Sequence, residues 1–281
     1  MRYASFYGER GDVRPGILDE NGLRPIDAPS MRAFLEMSRE ERDARARRDA
    51  VPLDGLRLAA PVMPPRNVIC VGRNYLEHAK EGAAALGLDL KLPSVPTFFT
   101  KATTAVADPD AELHLQAGVS PQYDFEAELA VVIGERCTDV AEADALRAVF
   151  GYTCLNDVTA RDLQRAHGQW FRGKSLDMTC PIGPWIVDAA DIGDPQDLAI
   201  SMRVNGVEKQ HSSTAKMIFS IARLVAELSR GMTLLPGDVI ATGTPEGVGF
   251  ARTPPEFLTD GDAMEVTIEN VGTLRNVVRI G

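Results

Sequence analysis

The sequence predicts an α+β fold, with a small α/β domain at residues 1–60 and a larger, β-rich domain at residues 67–281. In the larger part, short β-type runs alternate with a few segments of helical periodicity. Between the two parts, the run "PVMPPR" contains three prolines, which remove backbone donors and fix φ. Neither a regular helix nor a central strand can continue through this run, so we place the boundary there.

The first 60 residues differ from the rest of the chain in composition. Strand-like pieces lie at residues 3–7 and 16–18. The stretch "SREERDARARRDA" that follows them has few apolar positions, which is typical of a solvated helix or a connector.

The larger part is predicted to consist mainly of mixed and antiparallel strands. Strand-like runs are "NVICVG", "TFFTK", "AELAVVIG", "GYTCLND", "DVIATG" and "AMEVTIENVG". In "SMRVNGVEK", Asn205-Gly206 tolerates the positive φ of a tight turn and predicts a hairpin. Helical spacing occurs in "NYLEHAKEGAAALG", "DVAEADALRAVFG", "TARDLQRAHG" and "AKMIFSIARLVAELSRG". It is clearest in the last of these, where Gly231 is placed to end the helix.

Composition narrows the class of protein. With 40 acidic and 30 basic residues, the net charge of −10 argues against a nucleic acid or an anionic membrane as the main partner. The N-terminal stretch is charged where a signal peptide needs an apolar run, and no segment approaches the roughly 20 apolar residues of a membrane span. The four cysteines form no CxxC pair, which favours free thiols over disulfides or a zinc site. We therefore expect a cytoplasmic protein. A cysteine nucleophile is a weaker alternative to thiols that are merely buried.

The run "YDFEAELAVVIG" places three carboxylates at alternate positions before an apolar strand. Asp124, Glu126 and Glu128 share one face of an extended chain. Burying carboxylates without partners is costly, so either this face is in water or a cationic group lies opposite it. Asp157 follows the later strand "GYTCLND" and could cap the next helix or add a third carboxylate. Three carboxylates would suit a hard divalent ion such as Mg²⁺ or Mn²⁺.

Two further features have a plain and a functional interpretation. His78 and Glu81 are three residues apart on a predicted helix, which fits a surface ion pair or a carboxylate-oriented general base for water. The glycine-rich loop "ATGTPEGVGF" lacks the Lys-Ser/Thr of a phosphate-binding loop. Glycines there would let the backbone approach a small ligand closely.

Five motifs in this order resemble the fumarylacetoacetate hydrolase family over residues 67–281: "GRNYLEHAKE", "DFEAELAVVIG", "GYTCLNDVTARDLQ", "GKSLDMTCPIGPW" and "PGDVIATGTPEGVG". The resemblance implies a mixed β-sandwich roll for the larger domain. It implies the following site residues: metal ligands Glu126, Glu128 and Asp157, a catalytic His78–Glu81 dyad with Lys174 near the metal, and substrate contacts at Arg73, Gln164 and Thr244. Asp124 is expected beside the ligand set.

The same resemblance implies an activity. It implies an Mg²⁺ or Mn²⁺ cofactor, a small anionic 2-oxo acid substrate and a homodimer. The implied reaction is hydrolytic carbon–carbon cleavage of a 2,4-diketo acid, such as an acylpyruvate, to pyruvate or a related 2-oxo acid plus a carboxylic acid. Oxaloacetate decarboxylation, 2-oxo acid isomerisation and a noncatalytic metal-stabilised scaffold are the alternatives, and the presence of the dyad favours hydrolysis.

The segment "HAKEGAAALGLDLKLPSVP", residues 78–96, has two interpretations. Its glycines, small residues and two prolines are typical of a lid that becomes ordered around substrate and thereby assembles the dyad. The alternative is an ordinary surface helix and loop, because an alanine-rich sequence also favours helix.

Overall fold

The computed structural model of the protein describes residues 1–45, 50 and 55–281. The strands of this part are β1 (Arg2–Tyr7), β2 (Val13–Asp19), β3 (Gly22–Pro25), β4 (Leu58–Ala59), β5 (Val68–Gly72), β6 (Thr97–Lys101), β7 (Val106–Ala107), β8 (Glu112–Leu115), β9 (Tyr123–Asp124), β10 (Ala127–Ile133), β11 (Val149–Asn156), β12 (Thr159–Ala160), β13 (Cys180–Asp188), β14 (Ala199–Val204), β15 (Val207–Ser213), β16 (Val239–Ala241), β17 (Ala263–Ile268) and β18 (Gly272–Ile280). The helices are α1 (Met31–Leu35), α2 (Arg39–Arg45), α3 (Leu76–Ala85), α4 (Arg161–Ala166), α5 (Phe171–Lys174) and α6 (Ile221–Ser229). Short 3₁₀ helices lie at Thr103–Ala105, Glu142–Ala148, Ala189–Asp191, Thr214–Lys216 and Gly249–Ala251.

Two mixed sheets form the body of the molecule. The main sheet has 11 strands along the path β3-β2-β1-β13-β11-β10-β16-β5-β6, with β4 added on β1 and β7 on β13. The second sheet has five strands in the order β15-β14-β17-β18-β8. Strands β11 and β13 of the main sheet pack against β17 and β18 of the second. Apolar side chains such as Leu129, Val131, Met202 and Val266 fill the core between the sheets. The predicted β-rich α+β fold is confirmed.

The first part of the chain extends the main sheet. β1 pairs with β13, with Arg2 opposite Val187. The Tyr3 ring also packs 4.7 Å from the ring of Phe150 in the larger part. The described residues of the predicted small domain therefore share a sheet and a core with the rest, and the division into two domains stays a prediction. The charged stretch contains α2, and its residues 46–49 lie outside the described part.

Two predicted helices differ from the structure. "DVAEADALRAVFG" contains a 3₁₀ helix at Glu142–Ala148 in place of the α-helix, and this segment ends there because β11 begins at the next residue. In "AKMIFSIARLVAELSRG", α6 begins only at Ile221. Ser220 caps it by accepting a hydrogen bond from the Arg223 N–H, and Met217 forms a strand bridge with Tyr75 instead. The predicted hairpin joins β14 and β15.

The pairing of the central strands brings four chain segments to one edge of the main sheet. β5 and β16 are parallel, so both end at this edge. β10 is antiparallel to β16 and to β11, so β10 begins and β11 ends at the same edge. Residues directly before, within or after these strand ends form the candidate site.

No α-helix in the described ranges is long and apolar enough to cross a membrane.

Candidate metal centre and active site

Three buried carboxylates converge at this edge. Glu126 and Glu128 lie on one face at the start of β10, and Asp157 directly follows β11. One carboxylate oxygen from each lies within 4.8 Å of the other two. The exposed fractions are 4% for Glu126, 1% for Glu128 and 0% for Asp157. Of the two interpretations of this face, the structure supports a buried face that meets cations.

Two buried lysines contact the carboxylates. The Lys174 Nζ donates hydrogen bonds to Glu126 Oε2 at 2.8 Å and to Asp157 Oδ2 at 2.7 Å. The Lys101 Nζ donates to Asp157 Oδ1 at 2.7 Å and to the Val158 carbonyl oxygen at 3.0 Å. Both oxygens of Asp157 are therefore held by ammonium groups.

Asp124 turns away from the three carboxylates toward Arg161. The Arg161 Nε donates to Asp124 Oδ2 at 2.8 Å, and its Nη2 lies 2.7 Å from Glu126 Oε1. Asp124 also accepts hydrogen bonds from the backbone N–H groups of Gly249 and Phe250. Asp124 thus fixes the glycine-rich loop and orients the arginine beside Glu126.

Glu128 differs from the other two carboxylates in its partners. Among the described residues it accepts one hydrogen bond, from the Gly243 N–H at 2.8 Å, and contacts no cationic side chain. Burial, together with the negative charges of Asp157 and Glu126, raises the pKa of Glu128 well above its ordinary value. A positive charge at this place would oppose that shift by stabilising the ionised form of Glu128.

Glu126 shows the opposite behaviour. Burial opposes its charged form, but the positive charges of Lys174 and Arg161 outweigh burial and lower its pKa to about 2. Burial likewise opposes the charged form of Lys174, but Asp157 and Glu126 outweigh it and raise the Lys174 pKa. Both groups are therefore ionised at neutral pH.

The charge balance of the cluster fits an additional cation. Its buried acids are Asp124, Glu126, Glu128 and Asp157, and its buried bases are Lys101, Arg161 and Lys174. The acids outnumber the bases, and Glu128 is the acid without a basic contact. A set of carboxylate oxygens within a few ångströms is what a hard divalent cation prefers. The three carboxylates could therefore bind a metal ion.

The His78–Glu81 dyad lies on α3, which leaves the same sheet edge after β5. The His78 Nδ1 is 2.8 Å from Glu81 Oε1, and the Gly247 N–H donates to Glu81 Oε2 at 2.8 Å. Because a carboxylate accepts at Nδ1, that nitrogen carries the proton and Nε2 is the basic one. The expectation that closure of a lid assembles the dyad is not met, since both oxygens of Glu81 are already held.

One cavity of about 580 Å³ brings most of the predicted residues together. It is lined by the predicted residues His78, Glu126, Glu128, Lys174, Arg73, Gln164 and Thr244. Asp157 lies behind Lys174, and Glu81 lies behind His78, so each contacts a residue of the cavity wall without lining the wall itself. Each predicted site residue is thus in the cavity or one contact away from it.

Arg73 reaches the cavity through an unusual backbone conformation. Its φ of 57° lies in the left-handed region, which costs a non-glycine residue about 1 kcal/mol. Asn74 holds this turn, because its side chain donates to the carbonyl oxygens of Phe219 and Thr242. The guanidinium lies 5.7 Å from the centre of the Trp170 ring.

Sequence reasoning missed Lys101, Arg161 and Asn74. Lys101 ends the apolar run "TFFTK", and a lysine at the end of such a run is a weak signal of a buried charge with a partner. Asn74 stands between motif residues in "GRNY" and carried no separate signal. Arg161 begins a helix and is separated by 37 residues from Asp124, so spacing along the sequence could not reveal the pair.

Comparison with known proteins places this site in context. A family model described as "Fumarylacetoacetate (FAA) hydrolase C-terminal" matches residues 67–279, a range that begins where the larger predicted domain begins. The chain is 47% identical over 227 residues to "Oxaloacetate tautomerase YisK" of Bacillus subtilis, covering 80% of this chain and 74% of that protein. It is 38% identical over 281 residues to "2,4-didehydro-3-deoxy-L-rhamnonate hydrolase" of a Sphingomonas species, covering 99% and 96% of the two chains.

A solved structure is similar over the whole length. A fumarylacetoacetate hydrolase from the psychrophilic Exiguobacterium antarcticum superposes with a TM-score of 0.85 at 40% sequence identity, and the match covers 100% of both chains. The similarity therefore includes the first 60 residues as well as the part with the cavity.

Proposed function

The chain belongs to the fumarylacetoacetate (FAA) hydrolase family, and on that premise we propose that it hydrolyses the carbon–carbon bond of a small 2,4-diketo acid in a divalent-metal-dependent reaction. The substrate class is an acylpyruvate, and the products are pyruvate or a related 2-oxo acid and a carboxylic acid. The observation that carries the proposal is the His78–Glu81 dyad at the wall of the cavity that Glu126 and Glu128 also line. Hydrolysis needs a base for water beside such a cation site.

Mg²⁺ or Mn²⁺ is the cofactor that this site suits, because hard divalent cations take oxygen ligands. Glu126, Glu128 and Asp157 would hold the ion. When bound, it supplies Lewis acidity that polarises the carbonyl oxygens of the substrate.

The His78–Glu81 dyad would carry out the proton transfers. His78 takes a proton from water at Nε2, and Glu81 stabilises the resulting imidazolium. The water oxygen bonds to the carbonyl carbon farther from the substrate carboxylate. The bond from that carbon to the pyruvate part then breaks, and its electron pair stays on the pyruvate part as an enolate. Return of the proton from His78 to the enolate carbon completes the reaction.

Other residues of the cavity would bind and stabilise. The Lys174 ammonium, next to Glu126 and Asp157, is suited to stabilise negative charge that develops on the enolate oxygen. Thr244, Gln164 and Arg73 line the cavity and would contact the substrate carboxylate and the acyl group.

A second candidate is keto–enol tautomerisation of oxaloacetate. The relative that is 47% identical to the chain carries the name of that activity. In addition, Arg73 lines the cavity and forms no ion pair with any described residue, so it is available for the second carboxylate of such a substrate. Decarboxylation of oxaloacetate would form the same pyruvate enolate as the hydrolysis, and isomerisation of a 2-oxo acid would pass through an enolate of its own substrate.

A substrate comparison distinguishes these reactions. The chain is stripped with a chelator, reloaded with Mg²⁺ or Mn²⁺, and incubated with acylpyruvates and with oxaloacetate. Metal-dependent release of pyruvate and a carboxylic acid from an acylpyruvate is expected. Loss of the oxaloacetate enol without cleavage of any acylpyruvate would establish the second candidate instead. Failure to act on either substrate with either ion would rule out the proposal.

Variants of the dyad test the role of the base. We expect His78→Asn and Glu81→Gln to lower kcat about 10²–10⁴-fold, because each removes the activated base. Metal affinity, measured by calorimetric titration, should be unchanged. Glu77→Gln is the matched control, since Glu77 lies on the same helix and, within the described part of the chain, forms an ion pair with the exposed Lys80 alone. An equal loss in the control would mean that the helix, and not the dyad, is responsible.

We also propose that the protein is a homodimer with an active site in each subunit, an assembly that rests on the family resemblance. Analytical ultracentrifugation across a range of concentrations tests it. A single species with the mass of one 30.5 kDa chain would contradict this assembly.

A further inference from the structure

A glutamine from the second sheet reaches the active-site edge of the main sheet. Gln210 lies on β15 and is 1% exposed. Its Oε1 accepts a hydrogen bond from the Ala127 N–H at 2.9 Å. Its Nε2 donates to Thr244 Oγ1 at 2.8 Å and to the Pro245 carbonyl oxygen at 2.8 Å. One side chain thus joins β10, between two carboxylates of the cluster, to the glycine-rich loop.

The amide of Gln210 replaces a missing strand partner. β16 pairs with β10 as far as Ala241, and the Thr242 N–H still donates to the Leu129 carbonyl oxygen. Beyond that point the loop leaves the sheet to line the cavity, so the Ala127 N–H loses a backbone acceptor on this side. A buried N–H without an acceptor is costly, and the Gln210 carbonyl supplies one.

The orientation of this amide is fixed by its partners. The Ala127 N–H can only donate and the Pro245 carbonyl can only accept, so the amide cannot be turned around without losing both bonds. The Nε2 therefore faces Thr244 as a donor, and the Thr244 hydroxyl oxygen accepts. The hydroxyl has one hydrogen of its own, and that hydrogen donates to no acceptor among the described residues. Thr244 lines the cavity, so this hydrogen is free to point into it.

We propose that Gln210 is a positioning residue that makes the Thr244 hydroxyl a hydrogen-bond donor into the cavity, for an anionic or carbonyl oxygen of the ligand. The identity of that ligand as a 2-oxo acid rests on the proposed function. The same amide holds the backbone between Glu126 and Glu128, so one residue sets both a ligand contact and the start of the carboxylate strand. Gln210 itself does not line the cavity.

Calorimetric titration of the Mg²⁺-loaded chain with oxalate, an unreactive mimic of the pyruvate enolate, tests the donor role. The Gln210→Glu carboxylate keeps an acceptor for Ala127 but attracts the Thr244 hydrogen, so we expect oxalate to bind about 10-fold more weakly or worse. Thr244→Ser should bind like the wild type, because serine keeps the hydroxyl. Thr244→Val should lose about as much affinity as Gln210→Glu.

The double variant separates this role from simple charge repulsion. If Gln210 acts through Thr244, Gln210→Glu in the Thr244→Val background should cost less than about 2-fold in further affinity. If the two losses multiply in full, the new charge repels oxalate directly and the donor role is wrong.

Amide hydrogen exchange at Ala127, measured without ligand, tests the positioning role independently. Protection should be lost in Gln210→Met, which has a similar shape but no acceptor, and kept in Gln210→Glu. Unchanged protection in Gln210→Met would overturn the inference. A wild-type chain that binds neither oxalate nor pyruvate contradicts the proposed function, whereas exchange at Ala127 still decides the role of Gln210.

Discussion

The floor and the rim of the cavity are built in opposite ways. The floor is the charged cluster formed by Glu126 and Glu128 at the cavity wall, by Asp157 in contact with Lys174, and by the bases around them, all at most 4% exposed. The rim is residues 86–95, which contain neither helix nor strand. The leucines of the rim are far more exposed than the acids of the floor: Leu86 is 46%, Leu88 60%, Leu90 43% and Leu92 49% exposed.

This difference separates the chemistry from the choice of substrate. The oriented charges of the floor are held by buried partners and need little rearrangement when a reaction develops charge. The rim contributes little to the stability of the fold, because substitution of an exposed side chain usually changes the free energy of unfolding only slightly. We infer that the floor sets the type of reaction, and that the rim can change with the size of the ligand at little cost.

Substitutions within the floor should have the largest effects. We expect Glu128→Gln, Glu126→Gln and Asp157→Asn each to weaken Mg²⁺ or Mn²⁺ binding and abolish turnover, because each removes a ligand charge. Their stabilities should differ. In chelator, Asp157→Asn leaves Lys101 and Lys174 without a shared anion and should cost about 3 kcal/mol. Glu128→Gln removes a repulsive charge without a cationic partner and should not destabilise the fold.

Urea unfolding in chelator measures the stabilities, and calorimetric titration measures metal affinity. Equal destabilisation by Asp157→Asn and Glu128→Gln would show that the two carboxylates are in similar environments, against the asymmetry of the floor. Unchanged metal affinity in all three variants would remove the metal assignment.

Lys174→Met should have a smaller effect that is confined to catalysis. Lys174 bridges Glu126 and Asp157, and we expect its loss to lower kcat by more than 10²-fold, because the ammonium group that would offset charge on the product enolate is removed. Metal affinity should not fall, since no ligand charge is lost. Parallel losses of kcat and metal affinity would instead make Lys174 a structural neighbour of the carboxylates.

Substitutions in the rim should have the smallest effects. Leu88→Ser and Leu90→Ser should change the free energy of unfolding by less than about 0.5 kcal/mol. We expect them to raise KM for larger substrates while kcat stays within a few-fold. Leu224→Ser on α6, at 0% exposure, is the matched control and should be strongly destabilising. A loss of stability in the rim variants comparable to the control would show that the rim is packed.

Hydrogen exchange sharpens the comparison further. The lid hypothesis stays a prediction for residues 86–96, whereas α3 carries a dyad that is already anchored to Gly247. With metal alone, amides 86–96 should exchange fast and those of α3 slowly, and oxalate should protect the former. High protection of residues 86–96 before oxalate is added would contradict a lid.

Local sequence patterns predicted those floor residues whose spacing follows the two-residue period of a strand or that stand at its end. Alternation predicted that Glu126 and Glu128 share one face of the chain. The apolar run before Asp157 predicted that this residue follows a strand. The partners that make this face buried were not predictable in the same way. Lys101 meets Asp157 across 56 residues, and Gln210 meets Ala127 across 83. Such pairs depend on strand order, which period and composition do not contain.

The helix boundaries show the limit of periodicity. Met217 and Ile218 continue the apolar spacing of α6, yet the chain is extended there because Met217 pairs with Tyr75. Ser220 caps the helix, which begins at the next residue, because its side-chain oxygen accepts a hydrogen bond from the Arg223 N–H. The capping residue was a better guide than the apolar period.

The glycine-rich loop is anchored at points only a few residues apart. Gly243 is bound by Glu128, Thr244 by Gln210, Gly247 by Glu81, and Gly249 by Asp124. Adding or deleting one residue between these points would move the later anchors by about 3.5 Å, more than the length of a hydrogen bond. The loop therefore has a fixed length, and new specificity in this architecture has to arise there by exchange of side chains. Insertions and deletions can be accommodated in residues 86–96 instead.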